Sequence, residues 1–595
     1  MSTRSGATRF PAPQAAPTDT TTPSNRGPGA ARRSPWAQID WPVTVWIAVI
    51  FCAGMAHPFL PNYRLVVIHI FTPGILANSI LLWSHVLTTR FCHPSARWRA
   101  RAGASLGPRQ LVFNAGVVAV LVGDMLEPTW AKNWALTQAG AALVAVAAAW
   151  HAAVLAAGLR AAGPGARRTT PSVWALIGSF AMLVLGAALG GIAAMRPAGL
   201  DAVRAAHVTI NVFGFVGLAA AGSLIILFPA VWRYNKTLPH PGVALIAMAV
   251  GALLAAGGFI AQAALGAGGP GAARTDAQPV PVVVAAAGLG IIAVAWFAAL
   301  ISWLGDARRA ELSKANYASL SVAAAPAWLV VATAVFAVRV AREGAGAELP
   351  TTPLLVGFAA QLLFGMLSYL VPTVLHKRAV FGHEVAFRGG VFRFVLFNLS
   401  LFVWLAAQVS YLKILASFAC IGVLFAVPVL LLRAARVQLA TPAQPAARPR
   451  LSGARGSAGS AALAVALVAF TVACFGGLGD AAGSAPGTTS TAAGAGGSTA
   501  GSDAGVQRLH IRAGEYVFLP ETVDVPAGSH VILELSNEDS MMHDLALDNG
   551  ARSGRLKPGE STELDLGVID RDVEGWCSIA GHHTRGMVLH IRIAH

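Results

Sequence analysis

The feature that most restricts this chain is a series of apolar runs, each close to the roughly 20 residues a helix needs to cross a bilayer. They fall near 42–58, 65–88, 110–126, 133–158, 172–195, 205–231, 242–266, 279–304, 318–339, 351–375, 392–411, 414–432 and 459–478. Lipid offers the backbone no hydrogen-bond partner, so such runs must be helices that satisfy their own N–H and C=O groups. The expected fold is therefore an α-helical multi-pass membrane bundle of 12–13 spans. The least regular boundary is the short turn around Tyr411 and Lys413. Composition agrees: 55% of the 595 residues are hydrophobic and only 12% are charged, against about 25% charged in a soluble domain.

The net charge of +16 is read through that topology and not as a nucleic-acid signal. Basic residues gather in alternate loops, at Arg90, Arg97, Arg99 and Arg101, then Arg160, Arg167 and Arg168. The series continues with Arg233 and Lys236, with Arg308, Arg309 and Lys314, with Lys377 and Arg378, and with Arg433 through Arg455. The intervening loops hold Glu127, Asp201, Asp276, Glu343 and Glu348, with Arg339 and Arg342 as exceptions. By the positive-inside rule the N-terminus is cytoplasmic, and an odd number of spans delivers the C-terminus to the outside. The expected location is the plasma membrane, with the lipid bilayer as a partner.

Composition also marks out the segments. Residues 1–40 are rich in Pro, Ser, Thr and Arg and read as a disordered cytoplasmic tail. Residues 41–435 form the membrane domain, 436–458 a basic cytoplasmic linker, and 459–478 a final anchor span. The Gly/Ala/Ser/Thr stretch 479–505 has the composition of a flexible tether. From Val506 the texture changes to short alternating runs punctuated by Pro and Gly, the period of half-buried strands. Val523 and Val525 alternate, as do Val531, Leu533 and Leu535, then Leu564, Leu566 and Val568, then Leu589, Ile591 and Ile593 beside Val588. Residues 506–595 are expected to make a small all-β sandwich outside the cell.

Within it, "WCSIAGHHTRGM" gathers Cys577, His582 and Met587 on one loop between two strands, and His543 arrives from "NEDSMMHDLAL" upstream. Two imidazoles and a thiolate, with a weak axial thioether, are the donors of a type 1 (blue) copper site. Thiolate and thioether suit Cu(I), imidazole suits both oxidation states, and a rigid sandwich keeps the geometry alike in both. His583 is expected to point away from the site. Cys52, Cys420 and Cys474 lie inside apolar runs and Cys92 in a basic loop, with no such company.

These residues carry a resemblance. "CSIAGHHTRGM" is similar to the type 1 copper loops of copper nitrite reductases and multicopper oxidases, and "EYVFLPETVDVPAG" and "MMHD" resemble other cupredoxin strands. The resemblance implies copper held by His543, Cys577, His582 and Met587. Asp544 stands where many cupredoxins have Asn, so the hydrogen bonding around the thiolate is expected to differ. Copper nitrite reductases also place a histidine beside the ligand cysteine, whereas here it is Trp576. No second cupredoxin domain and no cluster of His-x-His pairs is present. The domain alone is thus expected to shuttle electrons and not to reduce nitrite or oxygen. As a whole, the fusion resembles actinobacterial membrane proteins described as copper oxidases.

Histidines inside spans are functional candidates. His69 and His207 fall toward the outer ends of the second and sixth spans and could pair as ligands of a haem or metal. His85 and His151 fall toward the inner side and could form a second pair. His69 and His85 are separated by roughly 24 Å of helix. The other reading puts His85 and His151 at the headgroup boundary and has His69 and His207 hydrogen-bonded between helices. His57 is an alternative outer ligand, and His376 and His383 are placed in a solvated loop. The span of His207 resembles helices of the haem-copper oxidase superfamily and of haem/copper proteins of nitrogen-oxide metabolism. "GSLIILFP" and "GMLSYLVP" share a Gly and a Pro at one offset, Gly222 with Pro229 and Gly365 with Pro372. The oxidases' His-His pair and late His-x-His are missing from the spans, which excludes an ordinary terminal oxidase.

The function expected is electron transfer through type 1 copper, between membrane carriers such as quinol or haem and an external copper enzyme. A nitrite reductase or oxidase is the kind of redox partner protein implied. Two alternatives stand beside it. One is an oxidoreductase of nitrogen oxides or oxygen with haem or copper in the membrane block. The other is a copper-handling or transport protein.

Overall fold

The computed structural model describes residues 41–56, 59–60, 62–126, 132–162, 169–197, 199–266, 280–309, 315–375, 379–407, 410–440, 455–474, 507–514, 516–539, 541–579, 582 and 587–594. The expected tail 1–40, the tether 479–505, residues 441–454 of the linker, His57, His376 and His583 lie outside them. The chain divides into two units, Met1–Ala482 and Gly483–His595.

The first unit is helical: α1 (Trp41–Met55), α2 (Tyr63–Cys92), α3 (Ala96–Met125), α4 (Asn133–Arg160), α5 (Thr170–Ala194), α6 (Leu200–Trp232) and α7 (Pro241–Gly266). There follow α8 (Val280–Arg309), α9 (Tyr317–Glu343), α10 (Pro353–Val374), α11 (Ala379–Ala386 then Gly390–Ala406), α12 (Ser410–Ala440) and α13 (Arg455–Cys474). Among the described residues ten helices are long and apolar enough to cross a bilayer. The two pieces of α11, bent by 41°, make a further span if taken together, and α1 and α13 are shorter apolar helices. The protein is a multi-pass membrane protein, with a helix on every expected run. Two boundaries differ from expectation. Helix α3 starts at Ala96, where Ser95 accepts from the Trp98 N–H and caps a basic first segment that hydropathy alone passes over. Helix α12 continues to Ala440, into the expected linker.

Three helices share an irregularity that reveals the plan of the bundle. Helices α2, α6 and α10 each contain an eight-residue π-helical segment, Ile70–Ala77, Ile210–Gly217 and Pro353–Ala360. The fifth residue of each is a glycine: Gly74, Gly214 and Gly357. Each segment packs against the helix that opens its group of four, α1, α5 or α9. A Cβ on Gly74 would lie 2.8 Å from the Trp46 ring, one on Gly357 2.7 Å from Trp328, and one on Gly214 3.1 Å from Met182. The bundle is thus three four-helix repeats, α1–α4, α5–α8 and α9–α12. The shared Gly/Pro pair of α6 and α10 falls at the same count from the π segment in both.

The first and third repeats agree in finer detail. The indole N–H of Trp46 donates to Asn114 Oδ1 at 2.6 Å, and that of Trp328 donates to Asn398 Oδ1 at 2.8 Å. Five residues before each asparagine is a buried arginine, Arg109 on α3 and Arg393 on α11. Their guanidinium groups donate to carbonyls at the end of the preceding short helical segment, Ala102 and Ser105 for Arg109, Ala386 and Arg388 for Arg393. A cation there meets the negative end of that segment's dipole, which is why it is tolerated away from water. Arg393 also lies 4.1 Å above the Tyr317 ring. Each arginine clasps its helix to the short segment before it.

Helices α2, α6 and α10 line a small axial cavity of about 90 Å³. Matching positions line it in all three: Leu76, Val216 and Ala359; Ser79, Ala219 and Leu362; Trp83, Ser223 and Met366; Leu87, Leu227 and Leu370. The cavity therefore belongs to the axis of the repeat.

The second unit has eight strands: β1 (Gln507–Gly514), β2 (Val517–Leu519), β3 (Thr522–Pro526), β4 (Ser529–Asn537), β5 (Ala546–Leu547), β6 (Ser561–Ile569), β7 (Val573–Trp576) and β8 (Val588–Ala594). They form two four-stranded sheets, β2-β1-β4-β6 and β3-β8-β7-β5, with β1–β4 and β3–β8 parallel. Alternation drives the packing: Val531, Leu533 and Leu535 of one sheet and Leu589 and Ile591 of the other are fully buried in one shared core. Val568 departs from the expected pattern and is 65% exposed. The register of β4 with β6 shifts between Val531 and Ile532, and Gly567 adopts φ +70°. That bulge turns Val568 outward and Ile569 into the core.

Candidate metal centre

The donors meet at one end of this core. Strand β7 ends at Trp576, so Cys577 begins the loop that returns at β8 with Met587 just before it. The Cys577 N–H donates to the Met587 carbonyl at 3.2 Å, and the Met587 N–H to the His582 carbonyl at 3.2 Å. The loop is thereby closed on itself, and Cys577 and Met587 both lie fully buried in the sandwich core. His543 is held from the other side by a two-bond bridge with Leu556.

The ligand atoms of His543, Cys577 and His582 lie within 4.8 Å of one another. His582 Nδ1 is 3.5 Å from Cys577 Sγ and 3.3 Å from His543 Nδ1. His543 Nε2 sits 2.9 Å from the half-buried carboxylate of Asp539, which can only accept, so the proton is on Nε2 and the Nδ1 lone pair faces the site. Two ring nitrogens this close are spanned by two metal bonds of about 2.0–2.1 Å each. The donor set fits copper: one sulfur and two nitrogens converge, with a thioether buried beside them.

The surroundings bear on the thiolate. Asp544 accepts from both the N–H and the hydroxyl of Ser578, and its Oδ1 lies 3.4 Å from Cys577 Sγ. Burial pushes the Cys577 thiol up to about 11, the N–H groups of Asp544 and Ile579 oppose this, and the Asp544 carboxylate adds to the rise. Without metal the thiol is protonated at neutral pH, and a bound cation must displace its proton. Asn537 braces the upstream loop by donating to the carbonyls of Met541 and Leu556 and accepting from the Asp539 N–H. Tyr516, at φ +67°, packs edge-on against the His582 ring at 4.9 Å. Asp539, Ser578 and Tyr516 were not legible as site residues. Only Asp539 carried a signal, its spacing of four from His543.

The membrane histidines fare unequally. His69 Nδ1 lies 2.9 Å from the Leu65 carbonyl, and His207 Nδ1 lies 2.8 Å from the Gly186 carbonyl. Carbonyls only accept, so both rings carry the proton on Nδ1 and present a bare Nε2. The His207 ring rests on Gly190, where a Cβ would lie 2.8 Å from it. His151, fully buried, has both ring nitrogens engaged, by Ser84 at 2.8 Å and by Arg109. His85 stacks on Trp98 at 5.7 Å, and its Nδ1 has no partner among the described residues. His383 is not a solvated loop residue as expected. It lies on the first piece of α11, stacked between Tyr369 and Phe387 at 5.3 and 5.2 Å.

The two-sheet fold is cupredoxin-like, and the buried Cys577, His543, His582 and Met587 side chains are a donor set that fits type 1 copper. Two solved structures are similar to part of the chain. Sodium-dithionite-reduced auracyanin from the photosynthetic bacterium Roseiflexus castenholzii is 16% identical over 16% of this chain and 100% of its own length, with TM-score 0.14. Auracyanin B is 17% identical over 16% of this chain and 94% of its own length, with TM-score 0.15. No family model and no curated protein matches the chain.

Proposed function

We propose that this protein carries single electrons between a membrane carrier and an external copper enzyme, such as a nitrite reductase or oxidase. The observation that carries the reading is the convergence of His543, Cys577 and His582 in a dry interior, with Met587 alongside. Copper bound there supplies one-electron chemistry. The chain's own residues keep its surroundings fixed: Asp539 orients His543, Asp544 and Ser578 lock the start of the loop, and the closed hydrogen bonding holds Met587 against Cys577. His582 is 6% exposed while the other three ligands are fully buried, so it is the natural exit for the electron toward a partner. In this reading the domain lies outside the cell.

The test is to load the purified full chain with Cu(II) and follow its visible spectrum through reduction and reoxidation. One copper per chain with an intense, reversible blue band is expected. Copper that binds without colour, together with metal flux in vesicles, would favour copper handling and overturn the carrier reading.

A second reading has a specific observation behind it. His69 and His207 each donate Nδ1–H to a backbone carbonyl, the arrangement that orients a metal-binding imidazole. We propose them as ligands of a haem or metal in the membrane block, which as an oxidoreductase centre would act on nitrogen oxides or oxygen. A haem band in the reduced spectrum, lost in His207→Ala, is the expected result. Its absence from the purified chain removes this reading and leaves the copper one standing.

A further inference from the structure

We propose that Asp539 sets the direction of electron flow: acting through His543, its carboxylate biases the site toward Cu(II), so that the domain gives electrons to the external enzyme. The inference rests on the copper reading above and concerns a positioning residue that is not itself a ligand. Asp539 stands four residues before His543, and the fold turns that spacing into a contact of 2.9 Å between Asp539 Oδ2 and His543 Nε2. His543 is fully buried, and the Asp539 side chain is 9% exposed.

A dedicated frame holds the two groups together. The buried Asn537 side chain accepts from the Asp539 N–H at 3.0 Å and donates to the Met541 and Leu556 carbonyls at 2.7 and 3.0 Å. Leu556 in turn bonds the N–H and the carbonyl of His543. One buried amide therefore fixes both the carboxylate and the segment that carries the ring.

Orientation alone does not ask for a charge. His69 and His207 are aligned by neutral carbonyls, at 2.9 and 2.8 Å from Nδ1. Drawing a carboxylate out of water costs more than burying a carbonyl, so its use at His543 points to an electronic part. A carboxylate that accepts an imidazole N–H raises the basicity of the other ring nitrogen. Nδ1 becomes the stronger donor, and the gain is larger for the doubly charged Cu(II) than for Cu(I). Asp544, with Oδ1 3.4 Å from Cys577 Sγ, adds a second carboxylate beside the thiolate. A site biased in this way parts with its electron readily. The reaction that consumes the reduced domain is the one-electron reduction of a copper centre of higher potential in the external enzyme. The reaction that refills it is the one-electron oxidation of the membrane carrier, quinol or haem.

The experiment compares the full chain with two variants. Asp539→Asn keeps an oxygen for the His543 N–H and removes the charge, whereas Asp539→Ala removes both. Protein-film voltammetry of the copper-loaded chains should show the potential of Asp539→Asn raised by about 59 mV or more, tenfold in the one-electron equilibrium. Chelator competition on the metal-free chains should show the same tenfold, as Cu(II) affinity lost relative to Cu(I) affinity. Asp539→Ala should weaken both ions roughly 10–100-fold, because the ring also loses its alignment. Stopped-flow mixing of the reduced chains with one cobalt(III) complex should show Asp539→Asn oxidised more slowly than the parent. If Asp539→Asn has a potential at or below the parent's, or the same ratio of Cu(II) to Cu(I) affinity, Asp539 only supports the ring and the proposal fails. Oxidation as fast as the parent's overturns the direction assigned to the electron. The blue band of each variant reports that the domain has folded. A parent chain without that band removes the copper reading and this inference with it, whereas a blue parent with an unshifted Asp539→Asn removes this inference alone.

Discussion

In the β domain three of the four copper donors come from one eleven-residue loop, Cys577 to Met587. In the bundle, matching positions around the axial cavity, such as Leu76, Val216 and Ala359, stand 140 and 143 residues apart. The first site is made by a turn between two strands, the second by three repeats folding round an axis. A loop site concentrates its chemistry where one segment can be re-aimed by one substitution. An axial cavity starts symmetric, and any chemistry must enter it as a departure of one repeat from the others.

The largest expected effect breaks the first half of that contrast. Cys577→Ser removes the thiolate, and the blue absorption should vanish completely, since no other donor present can supply the sulfur-to-copper transition. Far-ultraviolet circular dichroism should show the helical bundle unchanged. Colour that survives the substitution would mean the loop is not the site.

The next effect sharpens the second half. Gly74→Ala and Gly357→Ala each press a methyl group into an indole ring at 2.8 and 2.7 Å. Each should destabilise the bundle by about 1–3 kcal/mol through overpacking. Gly214→Ala meets Met182 Cγ at 3.1 Å, a wider gap that a small shift of the neighbouring side chain can accommodate. It should cost well under half as much. Thermal unfolding of the solubilised chain measures all three, and equal losses in the three variants would show that the middle repeat packs as rigidly as its neighbours.

The same contrast explains what the sequence displayed. The apolar runs were plain because a span is a local property, and the copper loop was plain because its donors are neighbours. The repeat was visible only as Gly222/Pro229 against Gly365/Pro372, because the first repeat has Leu82 and Thr89 at those counts. The π segments carry no hydropathy signal at all, and their shared glycine is one among 62. His151 looked like a ligand because its span is apolar, whereas its actual partners, Ser84 and Arg109, come from two other helices. Val568 read as a core residue because alternation cannot foresee the bulge at Gly567. Asp539 was one acid among several until the fold put it on His543 Nε2.

A smaller effect tests how finely the loop tunes its metal. Met587→Gln replaces a soft thioether by an amide oxygen, which suits Cu(II) better. The reduction potential should fall by about 59 mV or more, a tenfold change in the one-electron equilibrium.

The smallest expected effect has the opposite sign and comes from Asp544. Its carboxylate sits 3.4 Å from Cys577 Sγ while accepting two hydrogen bonds from Ser578. A negative charge there favours the more positive oxidation state of a bound copper. Asp544→Asn keeps an oxygen for the Ser578 N–H, removes the charge, and offers an amide N–H to the sulfur. Both changes stabilise the reduced state, so the potential should rise, by less than about 59 mV because Ser578 already spreads the carboxylate's charge. Protein-film voltammetry reads the shift directly. A fall in potential would mean that Asp544 serves to hold the loop through Ser578 and that its charge does not reach the metal.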